Sequence, residues 1–165
     1  MRGLFLLVVA AFCISPAYAE EPGEEDRVFT LELGGAGEQD LSGGGFNFGP
    51  NIAGEITPIE NWLELELGFS ALPTSGHTEL SWDFLFKKPF TLSPTTEVMI
   101  GAGPSLSRTL SGPDKGTVIA PEVAVDLMFW PTSKVGWYVE PSWSIVPGSG
   151  KQSATITAGL LISFP

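Results

Sequence analysis

The chain has 165 residues and is strongly acidic, with 8 lysines and arginines against 19 aspartates and glutamates and a net charge of −11 at pH 7. Nucleic acid is not expected as a partner, because phosphate binding requires an excess of basic side chains. The one cysteine, Cys13, lies in an apolar N-terminal segment, so disulfides are not expected to hold the folded part together.

The N-terminus has the layout of a secretory signal. Arg2 is followed by an apolar run over residues 4–14 and by Ala17-Tyr18-Ala19, a small-x-small cleavage site. The run is too short for a transmembrane helix, although an uncleaved anchor stays open as an alternative. We therefore expect residues 1–19 to be a cleaved signal peptide and residues 20–27 an acidic, solvated tail. Residues 28–165 are expected to form one domain.

The stretch WLELELGFSAL, residues 62–72, alternates between two kinds of side chain. Every second residue from Leu63 onward is apolar, and the residues between are mostly polar or small. Successive side chains of a β-strand point to opposite faces, so this period of two predicts a strand with one apolar face and one face carrying Glu64 and Glu66. The apolar face would meet a protein core in a soluble sandwich, or lipid in an outer-membrane barrel.

The same period recurs along the chain, and no helical period competes with it after the signal. It predicts eight strands, at about residues 28–35, 45–57, 62–72, 79–87, 95–107, 117–130, 135–146 and 153–165. Strands of about 9–11 residues can cross a bilayer at a steep tilt. An even number of them predicts an all-β fold, an eight-stranded antiparallel up-and-down transmembrane β-barrel with both termini on one side.

In an outer membrane, both termini would face the periplasm. The turns at residues 58–61, 87–94 and 131–134 would then be periplasmic, and the loops at residues 36–44, 73–78, 108–116 and 147–152 would face outward. Trp62, Trp130 and Trp137 lie beside the periplasmic turns. Because amphipathic rings favour the membrane interface, we expect these three to form an aromatic girdle.

Four prolines lie inside predicted strands, namely Pro50, Pro104, Pro121 and Pro141. A proline has no N–H for the ladder and is normally confined to edges or bulges. Because a closed barrel has no edge, we expect a local bulge at each one. Such bulges would exchange the inward and outward faces of the residues beyond them.

With these features the chain resembles the small eight-stranded outer-membrane β-barrels, the families of the outer membrane protein A transmembrane domain and of the opacity-type surface proteins. The resemblance rests on the signal, the amphipathic strands, Val98-Met99-Ile100-Gly101-Ala102-Gly103 and the closing Leu160-Leu161-Ile162-Ser163-Phe164. It implies a location in the outer membrane, contact with its lipid and insertion by the barrel-assembly machinery. That machinery reads a C-terminal aromatic residue in such families, whereas Phe164 is penultimate here.

The assigned faces place an excess of carboxylates inside the barrel. The candidate lumen carboxylates are Glu32, Glu64, Glu66, Asp83, Glu122, Asp126 and Glu140, with Glu55 and Glu97 on the same faces and Lys87 as the clearest inward cation. One interpretation is a wet polar plug, into which basic side chains such as Arg27 and Arg108 fold as partners. The other is an interior that binds cations or conducts them weakly, since crowded carboxylates repel one another.

Lipid A-modifying barrel enzymes share this architecture, but their sites need a histidine with a serine and a carboxylate. The only histidine is His77, at the tip of a predicted loop. The sequence also lacks a Cys/His metal cluster and a nucleotide fingerprint. We therefore expect no catalytic site, no cofactor and no dedicated metal site.

The sequence favours a non-enzymatic outer-membrane barrel with a structural or surface-interaction role in the cell envelope. A narrow cation-binding or cation-selective pore is the first alternative. A lipid A-modifying enzyme and a soluble periplasmic barrel that binds an apolar ligand are the others. The outward loops are short and poor in aromatic residues, so they offer little to a protein partner.

Overall fold

A computed structural model describes residues 28–73, 76–110 and 115–165, so the predicted signal peptide and acidic tail lie outside the described residues. The chain forms eight strands: β1 (Phe29–Asp40), β2 (Phe46–Ile59), β3 (Leu63–Pro73), β4 (Thr78–Ser93), β5 (Thr96–Thr109), β6 (Gly116–Phe129), β7 (Val135–Ile145) and β8 (Gln152–Phe164). Each strand pairs with its neighbours in chain order, and antiparallel pairing of β1 with β8 closes the barrel. The predicted all-β, eight-stranded up-and-down fold is confirmed. Within the described residues, no helix is long and apolar enough to cross a membrane.

Alternate side chains of each strand point into the barrel or away from it, as the period of two requires. In β3, Glu66 is 2% exposed and the next residue, Leu67, is 60% exposed. Many large apolar side chains of the other strands face outward in the same way, among them Phe48, Ile52, Phe86, Ile100, Val123, Ile156 and Leu160. The charged side chains Glu32, Glu66, Lys87 and Asp126 are therefore buried inside the barrel while large apolar side chains cover its outside, the reverse of a water-soluble domain.

The two ends of the barrel differ in their strand connections. One end, called here the terminal end, holds both chain termini and the connections at residues 60–62, 94–95 and 130–134. The opposite end, called the loop end, holds the ends of β1, β3, β5 and β7 and the starts of β2, β4, β6 and β8. Side chains near the start of β1, β3, β5 and β7 therefore lie close to the terminal end.

Two strands extend further than the sequence predicted. The turn expected at residues 87–94 is only residues 94–95, because β4 continues through Lys87 to Ser93. Its alternation persists, with Phe90 and Leu92 exposed on the outside.

The first loop likewise begins at residue 41 and not at 36, because glycine-rich residues 34–37 remain paired with β2 and β8. Gly35 and Gly37 face outward, where a Cβ would meet the rings of Phe48 and Phe46 at 2.9 and 2.8 Å. These glycines make room for aromatic rings, and they do not end the strand.

The bulges expected at the four prolines are absent. Pairing runs in constant register past Pro50, Pro104, Pro121 and Pro141, and the inward face does not change beyond them. Each proline keeps a partner in one neighbouring strand and has none in the other: Pro50 pairs with Gly35, Pro104 with Pro121, and Pro141 with Ile156. The missing N–H thus removes one local pairing without adding a residue.

Candidate functional site

Lys87 is the centre of a charged cluster inside the barrel. Its ammonium group donates to a carboxylate oxygen of Glu66, to Glu140 at 2.5 Å and to Asp126 at 3.2 Å. Glu55 lies slightly further away, with a nitrogen-to-oxygen distance of 4.0 Å. These five side chains come from β2, β3, β4, β6 and β7, so one lysine connects five strands across the interior.

Glu32 completes this cluster from β1. One carboxylate oxygen from each of Glu32, Glu66 and Asp126 lies within 4.8 Å of the others. The three side chains are 1%, 2% and 0% exposed, respectively. The name lysine cluster is used below for Glu32, Glu55, Glu66, Lys87, Asp126 and Glu140.

Gly101 makes the central position of Lys87 attainable. The two residues are directly paired between β4 and β5. A Cβ on Gly101 would meet Cγ of Lys87 at 2.7 Å, closer than carbon atoms approach in proteins. The glycine that the sequence places in the middle of β5 therefore leaves space for the lysine stem.

The lysine cluster carries more carboxylates than its one ammonium can satisfy. A lysine has three N–H donors, and the bonds to Glu66, Asp126 and Glu140 use all three. Oxygens of three buried carboxylates have no hydrogen-bond partner, namely Glu32 Oε1, Glu55 Oε1 and Asp126 Oδ1. Burying a carboxylate oxygen without a donor or a cation is costly. The site therefore has capacity for further positive charge.

A cluster of buried, mostly apolar side chains, called here the apolar plug, lies inside the barrel on the terminal-end side of the lysine cluster. It consists of Met99, Met128, Trp130, Tyr138 and Leu161. The Tyr138 hydroxyl donates to Asn51 Oδ1 at 3.1 Å, and Asn51 Nδ2 donates to Ser70 Oγ at 3.0 Å. A polar chain thus continues from the plug across β7, β2 and β3.

Trp130 is placed differently from the prediction. It was expected in an outward girdle, but it is 4% exposed and belongs to the apolar plug. The reason is the alternation of β6. Ala124, Asp126 and Met128 are buried on its inward face, and Trp130 follows them on the same face. By contrast, Trp62 is 59% exposed, and Trp137 is 46% exposed and stacks on Phe129 at 4.1 Å. These two lie on the outside near the terminal end, which suits a membrane interface.

Further carboxylates lie on the loop-end side of the lysine cluster. Glu122 accepts hydrogen bonds from Ser105 and Ser142. Asp83 and Glu38 are half-buried nearby, and Glu38 interacts electrostatically with Glu122. Glu38 was not predicted as an inward carboxylate because it was assigned to a loop. If β1 is extended, Glu38 lies two residues from buried Ala36 and therefore on the same inward face.

The predicted lumen carboxylates are thus divided between positions. Glu32, Glu66, Asp126 and Glu140 meet in the lysine cluster, whereas Asp83 and Glu122 lie nearer the loop end. Glu64 is 9% exposed and is paired with Lys87 between β3 and β4.

One of the two expected basic partners stays outside the interior. Arg108 is exposed, and Arg27 lies outside the described residues. Among the described residues, Lys87 is the only buried basic side chain. His77, the one candidate for acid–base chemistry by histidine, lies in the connection between β3 and β4 at the loop end, away from the lysine cluster.

Comparison with known proteins gives neighbours by structure alone. No protein-family model and no curated protein matches the sequence. Neisserial surface protein A aligns over 82% of this chain and 96% of its own, with a TM-score of 0.65 and 19% identity. The outer membrane protein OprG from Pseudomonas aeruginosa aligns over 82% and 95%, with a TM-score of 0.62 and 7% identity. The attachment invasion locus protein of Yersinia pestis, Ail, aligns over 82% and 96%, with a TM-score of 0.55 and 11% identity.

Alignments of this length, with such low identity, establish the fold and nothing finer. The expected resemblance is confirmed at that level: the chain has the fold of the small eight-stranded outer-membrane β-barrels.

Proposed function

We propose that the protein is a non-enzymatic outer-membrane barrel with a structural or surface-contact role in the cell envelope. The observation that carries this proposal is the reversed polarity of the barrel. Phe48, Leu67 and Ile100 are 63%, 60% and 54% exposed on the outside. Contiguous apolar surface of this kind favours lipid over water. Insertion by the barrel-assembly machinery, with Phe164 as the aromatic residue near the C-terminus, is part of the proposal.

The terminal end would then face the periplasm and the loop end the outside. Export through a cleaved signal at residues 1–19 would leave the N-terminus at the terminal end, where Trp62 and Trp137 suit the inner interface. The connections at the loop end would supply the external contacts. Two structural neighbours are a surface protein and an attachment invasion locus protein, and these names support a surface role here only by analogy.

Fractionation tests the membrane location. The full chain, expressed with its own N-terminus, should sediment with outer membranes, require detergent for release and migrate differently on gels before and after heating. A mature chain that is released without detergent and shows no heat-dependent migration would identify a soluble periplasmic barrel instead.

Epitope insertion tests the orientation. An epitope placed between Gly148 and Gly150, at the loop end, should be labelled by antibody on intact cells. The matched control carries the same epitope at residues 94–95, in the turn at the terminal end, and should be labelled only after permeabilisation. The opposite pattern would contradict the proposed orientation.

A narrow cation-selective pore is the second candidate, and the excess of inward carboxylates favours it. The lysine cluster and the apolar plug oppose it, because they place buried side chains inside the barrel at two successive levels. Planar-bilayer recording separates the two functions. We expect no steady conductance, whereas a current that is selective for K⁺ over Cl⁻ would support the pore.

The absence of enzymatic activity is also part of the proposal. Mass spectrometry of lipid A from overexpressing cells should show unchanged acylation. Loss or gain of an acyl chain, with an inactive His77→Ala variant as control, would instead support a lipid A-modifying enzyme.

A further inference from the structure

We propose that Glu32, Glu66 and Asp126 form a binding site for one divalent cation of the oxygen-preferring class, of which Ca²⁺ is the best fit. The site lies inside the barrel, on β1, β3 and β6. The proposal depends on the fold and on the inward faces of these strands. It does not depend on what the loop end contacts or on whether the barrel conducts.

The spacing of the three carboxylates suits one ion. Each offers an oxygen, and these oxygens lie within 4.8 Å of one another. Calcium binds oxygens at about 2.3–2.6 Å, so two ligands on opposite sides of the ion are roughly 4.6–5.2 Å apart. A Ca²⁺ between the three oxygens would therefore reach all of them with little rearrangement.

Carboxylate oxygens without hydrogen-bond partners are a second, independent indication that a cation binds at these three residues. Glu32 Oε1 and Asp126 Oδ1 have no hydrogen-bond partner, although Glu32 is 1% exposed and Asp126 is fully buried. Lys87 cannot supply the missing donors, because its three N–H groups are directed to Glu66, Asp126 and Glu140. An ion at the three carboxylates would take up the oxygens that the lysine leaves.

The charge balance points the same way. Five carboxylates and one ammonium make up the lysine cluster, so the fully ionised cluster has an excess of four negative charges. A divalent cation halves that excess at one position. Glu66 and Asp126 would then be shared between Lys87 and the ion.

The ligand atoms select the class of ion. All three are carboxylate oxygens, which suit Ca²⁺, Mg²⁺ and Mn²⁺, whereas soft or imidazole-preferring metals need cysteine or histidine. Calcium accepts irregular oxygen coordination, and magnesium demands an octahedron and retains several waters. A site with three protein ligands from three strands therefore favours Ca²⁺. Half-buried Glu38, Asp83 and Glu122 provide an acidic approach to it from the loop end.

Direct binding measurements test the site. The full barrel is refolded in detergent, stripped with EDTA and equilibrated with CaCl₂ or MgCl₂, and bound metal is counted by mass spectrometry after gel filtration. We expect one Ca²⁺ per chain and weaker Mg²⁺ binding by isothermal titration calorimetry. Wild-type protein that retains no metal at millimolar CaCl₂ would overturn the proposal.

Two variants locate the site. Glu32→Gln removes a proposed ligand that makes no hydrogen bond to Lys87, and it should weaken Ca²⁺ binding by about 10–100-fold or more, the loss seen when even supporting groups of metal sites are removed. The matched control, Glu122→Gln, removes an inward carboxylate outside the three and should bind nearly as well as the wild type. Equal weakening by both variants would indicate diffuse attraction by the acidic interior and would reject the site. Migration on unheated gels verifies that each variant folds. If Glu32→Gln does not fold, the number of Ca²⁺ ions bound per wild-type chain tests the proposal by itself.

Discussion

At the scale of single residues, Lys87 has the largest expected effect on stability. It is 1% exposed and bonds to three carboxylates from three other strands. Removing one partner from a buried ionic network leaves uncompensated charge and typically costs about 3–5 kcal/mol. We expect Lys87→Met to lower the free energy of unfolding by that amount, measured by urea titration of the barrel refolded in lipid vesicles.

The neighbouring lysine provides the control. Lys88 lies on the outer side, with its ammonium 5.5 Å from the centre of the Phe90 ring. Lys88→Met should cost about 1 kcal/mol or less, since such contacts contribute little. Equal losses for the two variants would show that the lysine cluster does not hold the barrel together.

Trp130 is the second residue whose position makes a quantitative prediction. Its ring is packed among Met99, Met128, Tyr138 and Leu161. Truncation of a packed aromatic side chain leaves a cavity and costs about 3–5 kcal/mol. Trp130→Ala should therefore destabilise the barrel strongly in a urea titration. The comparison is Trp62→Ala, at a residue 59% exposed, which should cost about 1 kcal/mol or less. A larger loss of stability for Trp62→Ala than for Trp130→Ala would indicate that Trp130 belongs to the outward aromatic girdle.

At the scale of the strands, the prolines show where the barrel closes although one residue lacks a partner in a neighbouring strand. Pro141 is paired with Ile156 of β8 and has no partner in β6, whereas Val139 is paired with both Leu127 and Ala158. A proline introduced at a position paired on both sides removes a backbone hydrogen bond between strands, and a closed barrel has no edge strand where that loss would be harmless. Each of the four prolines is thus paired on one side only, and a new proline at a position paired on both sides would break a pairing that the barrel now has.

This difference predicts opposite outcomes for two substitutions in β7. Val139→Pro should cost about 3 kcal/mol or more and reduce the fraction of barrel that migrates as folded on unheated gels. Pro141→Ala should change the stability by about 1 kcal/mol or less. If both variants fold equally well, the pairing pattern of β7 does not limit proline.

At the scale of the whole molecule, the apolar outer surface should respond to charge only where it meets lipid. Leu67 lies in the middle of β3 and is 60% exposed. Arginine at the bilayer midplane costs transmembrane barrels about 2–4 kcal/mol. Leu67→Arg should lower the free energy of unfolding, measured in lipid vesicles, by that amount. Leu41→Arg, in a loop-end connection where the side chain is 53% exposed, should have little effect. Equal tolerance at both positions would argue against membrane insertion.

Much of this architecture follows from the sequence by itself. The period of two in residues such as Glu64 to Leu67 is a local property, so it predicted the number of strands and the face of most side chains without knowledge of their neighbours. The mistakes arose where a local signal has two meanings. Gly37 was interpreted as a loop residue but makes room for an aromatic ring, and the prolines were expected to cause bulges but only remove a pairing.

What the sequence alone determined is a barrel with an apolar outside and an acidic inside. Only the tertiary structure decided which inward carboxylates meet. Glu32, Glu66 and Asp126 are far apart in the chain, and their common depth depends on how the eight strands are staggered around the closed sheet. The stagger is a property of all the strand pairings together, and no single strand encodes it. It is also what sets Lys87 against three carboxylates and leaves oxygens of Glu32 and Asp126 for a cation.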